Sequence, residues 1–355
     1  MLNRKRIVIA VLLCGFLLWF LFRATDWRAL LTSLTAIDPA WLAVAFVLSF
    51  SSFVVRAQRW SYVVRATHPA SFRNLFSATQ IGMLVNCLVP ARIGDVVRGY
   101  VLASMEKISF AQSLSLVGLD RINDILALLA VLVLALLSFP SHADIQFSAG
   151  AFGNPEPFIV SSALIRPVTL SLATALTVVI GILLLLHYQQ NLVLRAIDKT
   201  VEPLLAKAAA GLRSLFLNFA AGMQVFRSPG QMARAVLLSL VTWGLVALSI
   251  AALLHAFHLN FPWYGPVLVL AILGVFTSVT VTPGLVGQYH VPVVASLLMM
   301  LPGMDVNQAK AIAIVAHLIA VVPPVVLGVC SMLGAQLGFS DLIPQRETKA
   351  DIMSD

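Results

Sequence analysis

Long apolar runs separated by short polar segments set the organisation of this chain. A helix spans the hydrocarbon of a bilayer with about 20 mostly apolar residues. Six runs meet that measure, at approximately 7–24, 39–57, 112–138, 167–188, 234–257 and 309–336. Two further apolar stretches, about 75–104 and 263–302, are each cut in the middle by proline and glycine. Backbone groups freed by such a break find no partner in hydrocarbon, so the break must be buried in protein or line a wet cavity. The pattern predicts an all-α polytopic membrane protein with about six transmembrane helices plus two re-entrant hairpins. A loop between two short spans is the simpler reading of each break.

Composition strengthens the membrane assignment. Of 355 residues, 60% are hydrophobic and only 11% charged, with a mean hydropathy of +0.95, whereas soluble domains carry roughly 25% charge. The net charge of +8 comes from Lys and Arg dispersed in short segments, which argues against a nucleic-acid partner and makes these residues topology signals. Cys14, Cys87 and Cys330 each sit in an apolar run and imply neither a disulfide framework nor a metal site. The opening "MLNRKRIVIAVLLCGFLLWFLF" has a basic start and no small-x-small cleavage site, which favours an uncleaved first span.

Cytoplasmic loops hold the excess of Lys and Arg. Arg4, Lys5 and Arg6 put the N-terminus inside, and Arg56, Arg59, Arg65 and Arg73 then fall on the cytoplasmic side after the second span. If 75–104 dips in from that side, segment 139–166 lies outside, and the connection 189–233, with Arg195, Lys199, Lys207, Arg213 and Arg227, lies inside. Its stretch "NLVLRAIDKTVEPLLAKAAAGLRSLFLNFA" reads as a surface-lying amphipathic element or as a solvated linker helix. The stretch 263–302 dips in from the opposite face, and the last span returns the C-terminus to the cytoplasm of a multi-pass inner-membrane protein. Residues 1–340 form one transmembrane domain, and 341–355 a short polar tail.

The two broken stretches resemble one another. "VPARIGDVVRG" at Val89 aligns with "TPGLVGQYHVP" at Thr282, matching Pro90 to Pro283 and Gly94 to Gly287; "ISFAQSLSLVG" at Ile108 aligns with "VNQAKAIAIVA" at Val306. Each copy reads as a span, a broken hairpin, a helix-start residue (Ser109 or Asn307) and another span. Repeat one covers about 39–138 and repeat two about 234–336. By charge they face opposite ways, as in transporters whose broken helices meet near the midplane. Chance similarity between apolar segments is the competing explanation.

Charge sits at the first break. With a helix starting near Gly94, Asp95 falls in its first turn, where the helix dipole favours a carboxylate, and Arg98 is placed to pair with it. Arg92 is left at the turn, where a guanidinium beside a helix N-terminus suits a phosphate; an interfacial cluster that only sets topology fits the same residues. In the third span, Asp120, Arg121 and Asp124 share one side of a helix. Ionisable groups within a span are costly and by default mark a functional site, although a purely structural ion network is the alternative. The trios carry opposite net charge, so they can join in one network. The second break instead has Gln288, Tyr289 and His290; His290 and His317 are read as packing groups before proton relays.

"NCLVPARIGDVVR", "LDRINDILAL" and "TPGLVGQYH" together resemble the lysylphosphatidylglycerol synthase transmembrane family of flippase-like membrane proteins, over about 75–325. The resemblance maps Asn86, Pro90, Arg92, Gly94, Asp95 and Arg98 onto one motif, Asp120, Arg121 and Asp124 onto a second, and Pro283, Gly284 and Gly287 onto a third. A departure stands at His290, where many members carry glutamate. The chain ends about 20 residues after the last span, so the soluble aminoacyl-transfer domain of the full synthases is expected to be missing, and the resemblance implies lipid handling without the synthase reaction.

The leading expectation is a translocase for a phospholipid or glycolipid, such as an aminoacylated phospholipid or a polyprenyl-linked sugar, with Asp95, Asp120 and Asp124 balancing charge or meeting an amine. It uses Asn86, Arg92, Asp95, Arg98, Asp120, Arg121, Asp124, Gln288 and His290 at a midplane site, with no cofactor, no metal and no catalytic residue. No Gly-x-x-x-x-Gly-Lys-Ser/Thr loop is present, so transport runs downhill or on an ion gradient. Two alternatives stay open: an intramembrane enzyme acting on a lipid phosphate with Asp120 and Asp124 as Mg²⁺ ligands, and a non-catalytic membrane partner of a lipid-modifying enzyme.

Overall fold

The computed structural model describes residues 4–89, 92–138, 145–147, 158–161, 163, 165–189, 194–195, 198–200, 213, 216–217, 229–277 and 282–338. Pro90, most of the 189–233 connection and the 341–355 tail lie outside the described residues. The described chain is helical, with one small antiparallel ribbon, β1 (Ile145–Phe147) and β2 (Phe158–Val160), inside the segment 139–166.

In order the helices are α1 (Arg4–Phe22), α2 (Trp27–Thr35), α3 (Pro39–Arg65), α4 (Phe72–Leu88), α5 (Ile93–Glu106), α6 (Phe110–Ser138), α7 (Ile165–Tyr188), α8 (Pro229–Ala256), α9 (Gly265–Thr277), α10 (His290–Met300) and α11 (Val306–Gly334). The segments Pro39–Arg65, Phe110–Ser138, Ala233–Ala256 and Val306–Gly334 are long and apolar enough to cross a membrane. Shorter apolar segments are Leu12–Phe22, Leu170–Gly181 and Gly265–Thr277. This is a multi-pass membrane protein, and the apolar side chains on its outside, such as Leu137 and Leu333, match lipid tails as well as they would match a core.

Local chemistry fixes the helix starts. Asp26 and Asp38 accept the first free N–H groups of α2 and α3, and Pro39 fits the first turn because its missing N–H has no intrahelical use there. Ser109 Oγ accepts from Gln112 N just before α6, as its sequence position suggests. At α11 the cap is Asp305, whose carboxylate accepts from Asn307 and Gln308 N–H, not Asn307. An aspartate reaches two donors where the asparagine had been assigned the start.

Both interrupted stretches fold as two short helices around a break. α4 packs against α5 and α11, while α5 packs against α6; α9 packs against α10 and α6, while α10 packs against α11. α3 and α8 pair with each other, and each also touches the first helix of the broken unit that follows it, α4 or α9. Hydrogen bonds show which ends are neighbours. Asp38 N–H donates to Ala256 O (2.9 Å), which sets the start of α3 beside the end of α8, and Lys310 Nζ donates to Thr25 Oγ1 (2.9 Å), which sets the start of α11 beside the connection between α1 and α2. Arg73 Nη2 donates to Gly334 O (2.9 Å), placing the start of α4 beside the end of α11.

α11 carries Pro323 and Pro324 in its interior. A proline cannot donate to the carbonyl four residues back, and for Pro323 that carbonyl is Ile319 O. Ser49 Oγ of α3 supplies the missing donor at 2.9 Å.

Candidate functional site

The first break is held by a side chain from the helix before it. Arg92, the residue preceding α5, has a left-handed backbone (φ 52°) and gives no side-chain cap. Asn86, near the end of α4, reaches over: its Oδ1 accepts from Gly94 N–H (2.9 Å) and its Nδ2 donates to Asp95 (3.4 Å). Asp95 falls in the first turn of α5, as expected. A Cβ at Gly94 would lie 1.9 Å from Gly82 O, so this crossing of α4 and α5 requires glycine.

Behind the break lies a buried network of arginines and aspartates. Asp120 accepts from Arg59 on one oxygen (Nη2, 2.9 Å) and from Arg98 on the other (Nη1, 2.8 Å). Asp124 Oδ1 accepts from Arg59 (2.7 Å), and its Oδ2 from Arg56 (2.6 Å) and Arg121 (3.3 Å). Arg121 also pairs with Asp95. Arg98 lies over the face of Trp60, 3.6 Å from the ring centroid, a cation–π contact, and Ser239 of α8 accepts from Arg59 (3.3 Å). Taking one charge out of water costs several kcal/mol; the reciprocal pairing is what makes this cluster tolerable inside an apolar bundle.

Several sequence expectations are corrected here. Arg98 does not pair with Asp95; it turns to Asp120, and Arg121 takes Asp95. Arg92 is not left over, because its Nη2 donates to Thr277 O at the end of α9 (2.8 Å). Arg56 and Arg59, read as surface topology signals, are in the network, and Arg59 is fully buried. The reason is that α3 continues to Arg65 past the end of the apolar run. The buried Trp60, Val63 and Val64 beyond Arg59 were the available signal.

The second break is built without charge. Gly284 (φ 62°) and Gly287 (φ 78°) take left-handed backbone conformations that cost glycine nothing, around a short 3₁₀ turn at Pro283–Leu285. Gln288 Nε2 donates to Phe276 O (2.5 Å) and its Oε1 accepts from Thr282 N–H (3.3 Å), tying both sides of the break. His317 Nε2 donates to Gly284 O (2.7 Å), and His290 Nδ1 accepts from Gly287 N–H (3.3 Å). Gln288 and His290 thus hold the turn and do not line the cavity described next.

Where the breaks meet there is a cavity of about 280 Å³. Asn86, Cys87 and Arg92 line it from the first break, Thr277 and Leu285 from the second, and Arg56, Arg121 and Asp124 from the network behind. Phe53, Ile125, Leu128 and Trp243 add apolar wall. Of the charged residues singled out from sequence, Arg92, Arg121 and Asp124 face this space; Asp95, Arg98 and Asp120 stand behind them. Among the described residues no group of three or more His, Cys, Asp or Glu could hold a metal ion. The oxygens of Asp120 and Asp124 are taken by guanidiniums, so this donor set does not fit a Mg²⁺ site.

A bundle of apolar helices, four of them long enough to cross a bilayer, with a buried ion network beside a cavity between two broken units, defines an all-helical multi-pass membrane protein. The chain belongs to the family described as the lysylphosphatidylglycerol synthase TM region, whose model matches residues 7–328. It is 24% identical over 360 residues to the glycosyltransferase AglD of Haloferax volcanii, covering 97% of this chain and 56% of that protein. It is 27% identical over 90 residues to the UPF0104 membrane protein MJ1595 of Methanocaldococcus jannaschii, covering 24% of this chain and 27% of that protein. A UPF0104 membrane protein of Methanothermobacter thermautotrophicus is 29% identical over 112 residues, 31% of this chain and 33% of its own length. The chain therefore spans about half of the glycosyltransferase's length and a third or less of the other two.

Proposed function

We propose that this protein translocates a phosphate-bearing lipid across the bilayer, its headgroup passing through the cavity between the two breaks. The observation that carries this reading is the cavity itself: Arg56, Arg92 and Arg121 converge on a space lined by both breaks. A single charge at the bilayer centre costs from about 3 to more than 10 kcal/mol. Guanidiniums held in place by their own aspartates offer a phosphate charged, planar donors at that depth, lowering the barrier where it is highest.

The finer architecture belongs to this proposal. Units α3–α6 and α8–α11 are inverted repeats, and their broken helices are re-entrant hairpins entering from opposite faces. The reciprocal packing of α4 on α11 and α9 on α6 supports this, as do the end-to-end contacts Arg73 to Gly334 and Asp38 to Ala256. The clustering of Lys and Arg supports cytoplasmic N- and C-termini in a cell membrane. A second reading, a membrane partner of a lipid-modifying enzyme, is favoured by the alignment to a relative named a glycosyltransferase over 56% of its length.

Reconstitution into vesicles tests the proposal. Vesicles with a fluorescent-headgroup phosphatidylglycerol in both leaflets should lose nearly all fluorescence to an impermeant reductant when the protein is present, and about half without it. Arg121→Gln should slow the loss at least 10-fold. Equal loss with and without protein contradicts translocation and leaves the partner reading.

A further inference from the structure

The charge around the cavity is one-sided. Arg56, Arg92 and Arg121 line it, against Asp124 as the one carboxylate among the described lining residues. That carboxylate is occupied on both oxygens by Arg59, Arg56 and Arg121. Asp95 is paired with Arg121, and Asp120 with Arg59 and Arg98, and neither lines the cavity. Among the described residues of the cluster, five guanidiniums stand against three carboxylates, an excess of two positive charges. An incoming phosphate meets that excess. An ammonium meets three cations and finds no carboxylate that is not already bound by arginine.

Resting on the translocation reading above, we infer that the site selects lipid headgroups whose only charge is a phosphate monoester or diester and rejects headgroups that also carry an ammonium, aminoacylated ones most strongly. This is specificity by an unpaired like charge: the positive wall attracts the phosphate and repels a second, cationic group on the same headgroup. The uncharged part of the headgroup has its own surface in Phe53, Ile125, Leu128 and Trp243.

The test is a binding titration of the full chain in detergent, read by intrinsic tryptophan fluorescence and checked by native mass spectrometry. The probes are short-chain phosphatidic acid, phosphatidylglycerol, phosphatidylcholine and lysyl-phosphatidylglycerol, with inorganic phosphate as competitor. Phosphatidic acid and phosphatidylglycerol should bind at least 10-fold tighter than the two ammonium-bearing lipids, and inorganic phosphate should compete at least 10-fold more weakly than phosphatidic acid. Arg92→Gln should weaken the anionic lipids about 10-fold and narrow the gap. The ranking on the unaltered protein stands as a test even if that variant fails to fold. Lysyl-phosphatidylglycerol binding as tightly as phosphatidylglycerol overturns the selectivity while leaving translocation standing. Inorganic phosphate competing as well as phosphatidic acid overturns a lipid ligand in favour of a free phosphate, and no saturable lipid binding overturns this inference and the translocation reading together.

Discussion

At Gly94 a single methyl group would meet the facing helix: its carbon would lie 1.9 Å from Gly82 O, a backbone atom that cannot swing aside. Gly99, five residues on in the same helix, has nothing nearer than 3.5 Å. Gly94→Ala should therefore abolish the monodisperse folded peak in size-exclusion chromatography, whereas Gly99→Ala should elute like the unaltered protein. Asp120 presents a different kind of dependence. Replacing it with asparagine leaves the buried Arg98 without its counter-ion and the buried Arg59 with Asp124 alone, and breaking a buried pair costs about 3–5 kcal/mol. Thermal unfolding of Asp120→Asn in detergent should show a drop of several degrees, and an unchanged midpoint would mean that the network does not stabilise the fold. Asp95, Asp120, Arg121 and Asp124 were legible because charge inside an apolar span demands a partner. Arg56 and Arg59 were not, since a basic residue at the edge of an apolar run also marks a membrane face. The two trios cancel in charge, so nothing in the sequence called for more arginines.

Among the elements, the breaks were the most legible feature, because proline and glycine inside a long apolar run have few other uses. What the sequence left open was how each is held. Asn86 was recognised as part of a motif, but its work is to cap α5 from across the turn. Gln288 and His290, read from sequence as substrate-binding residues, fasten the second turn to its neighbours. Both outcomes depend on which backbone N–H and C=O groups the turn exposes, and that follows from dihedrals, not residue types. The paired prolines of α11 show the same dependence. Ser49 Oγ satisfies Ile319 O, so Ser49→Ala leaves a buried carbonyl without this donor. That change should lower stability by about 1–3 kcal/mol, measured as a shift in denaturation midpoint; Ser51→Ala, whose hydroxyl bonds only back to Val47 O of its own exposed turn, should shift it far less.

In the proposed architecture of the whole molecule, two broken helical units stand head to head across the membrane, with their tips at one cationic cavity. Arg92 reaching Thr277 O is a direct hydrogen bond between the two tips. The two breaks were visible in the sequence, and the charge in the first of them pointed to the arginines that line the cavity from that unit. The contribution of α3 to the cavity through Phe53 and Arg56 lay beyond what any repeat pattern conveys. The central claim, that the units open toward opposite faces, is tested most directly by cysteine accessibility in sealed vesicles. A cysteine-free background carrying Glu106→Cys at the base of the first unit, or Gly303→Cys at the base of the second, is labelled with an impermeant thiol reagent from one side at a time. The two positions should be labelled from opposite sides; labelling of both from the same side would rule out opposed units.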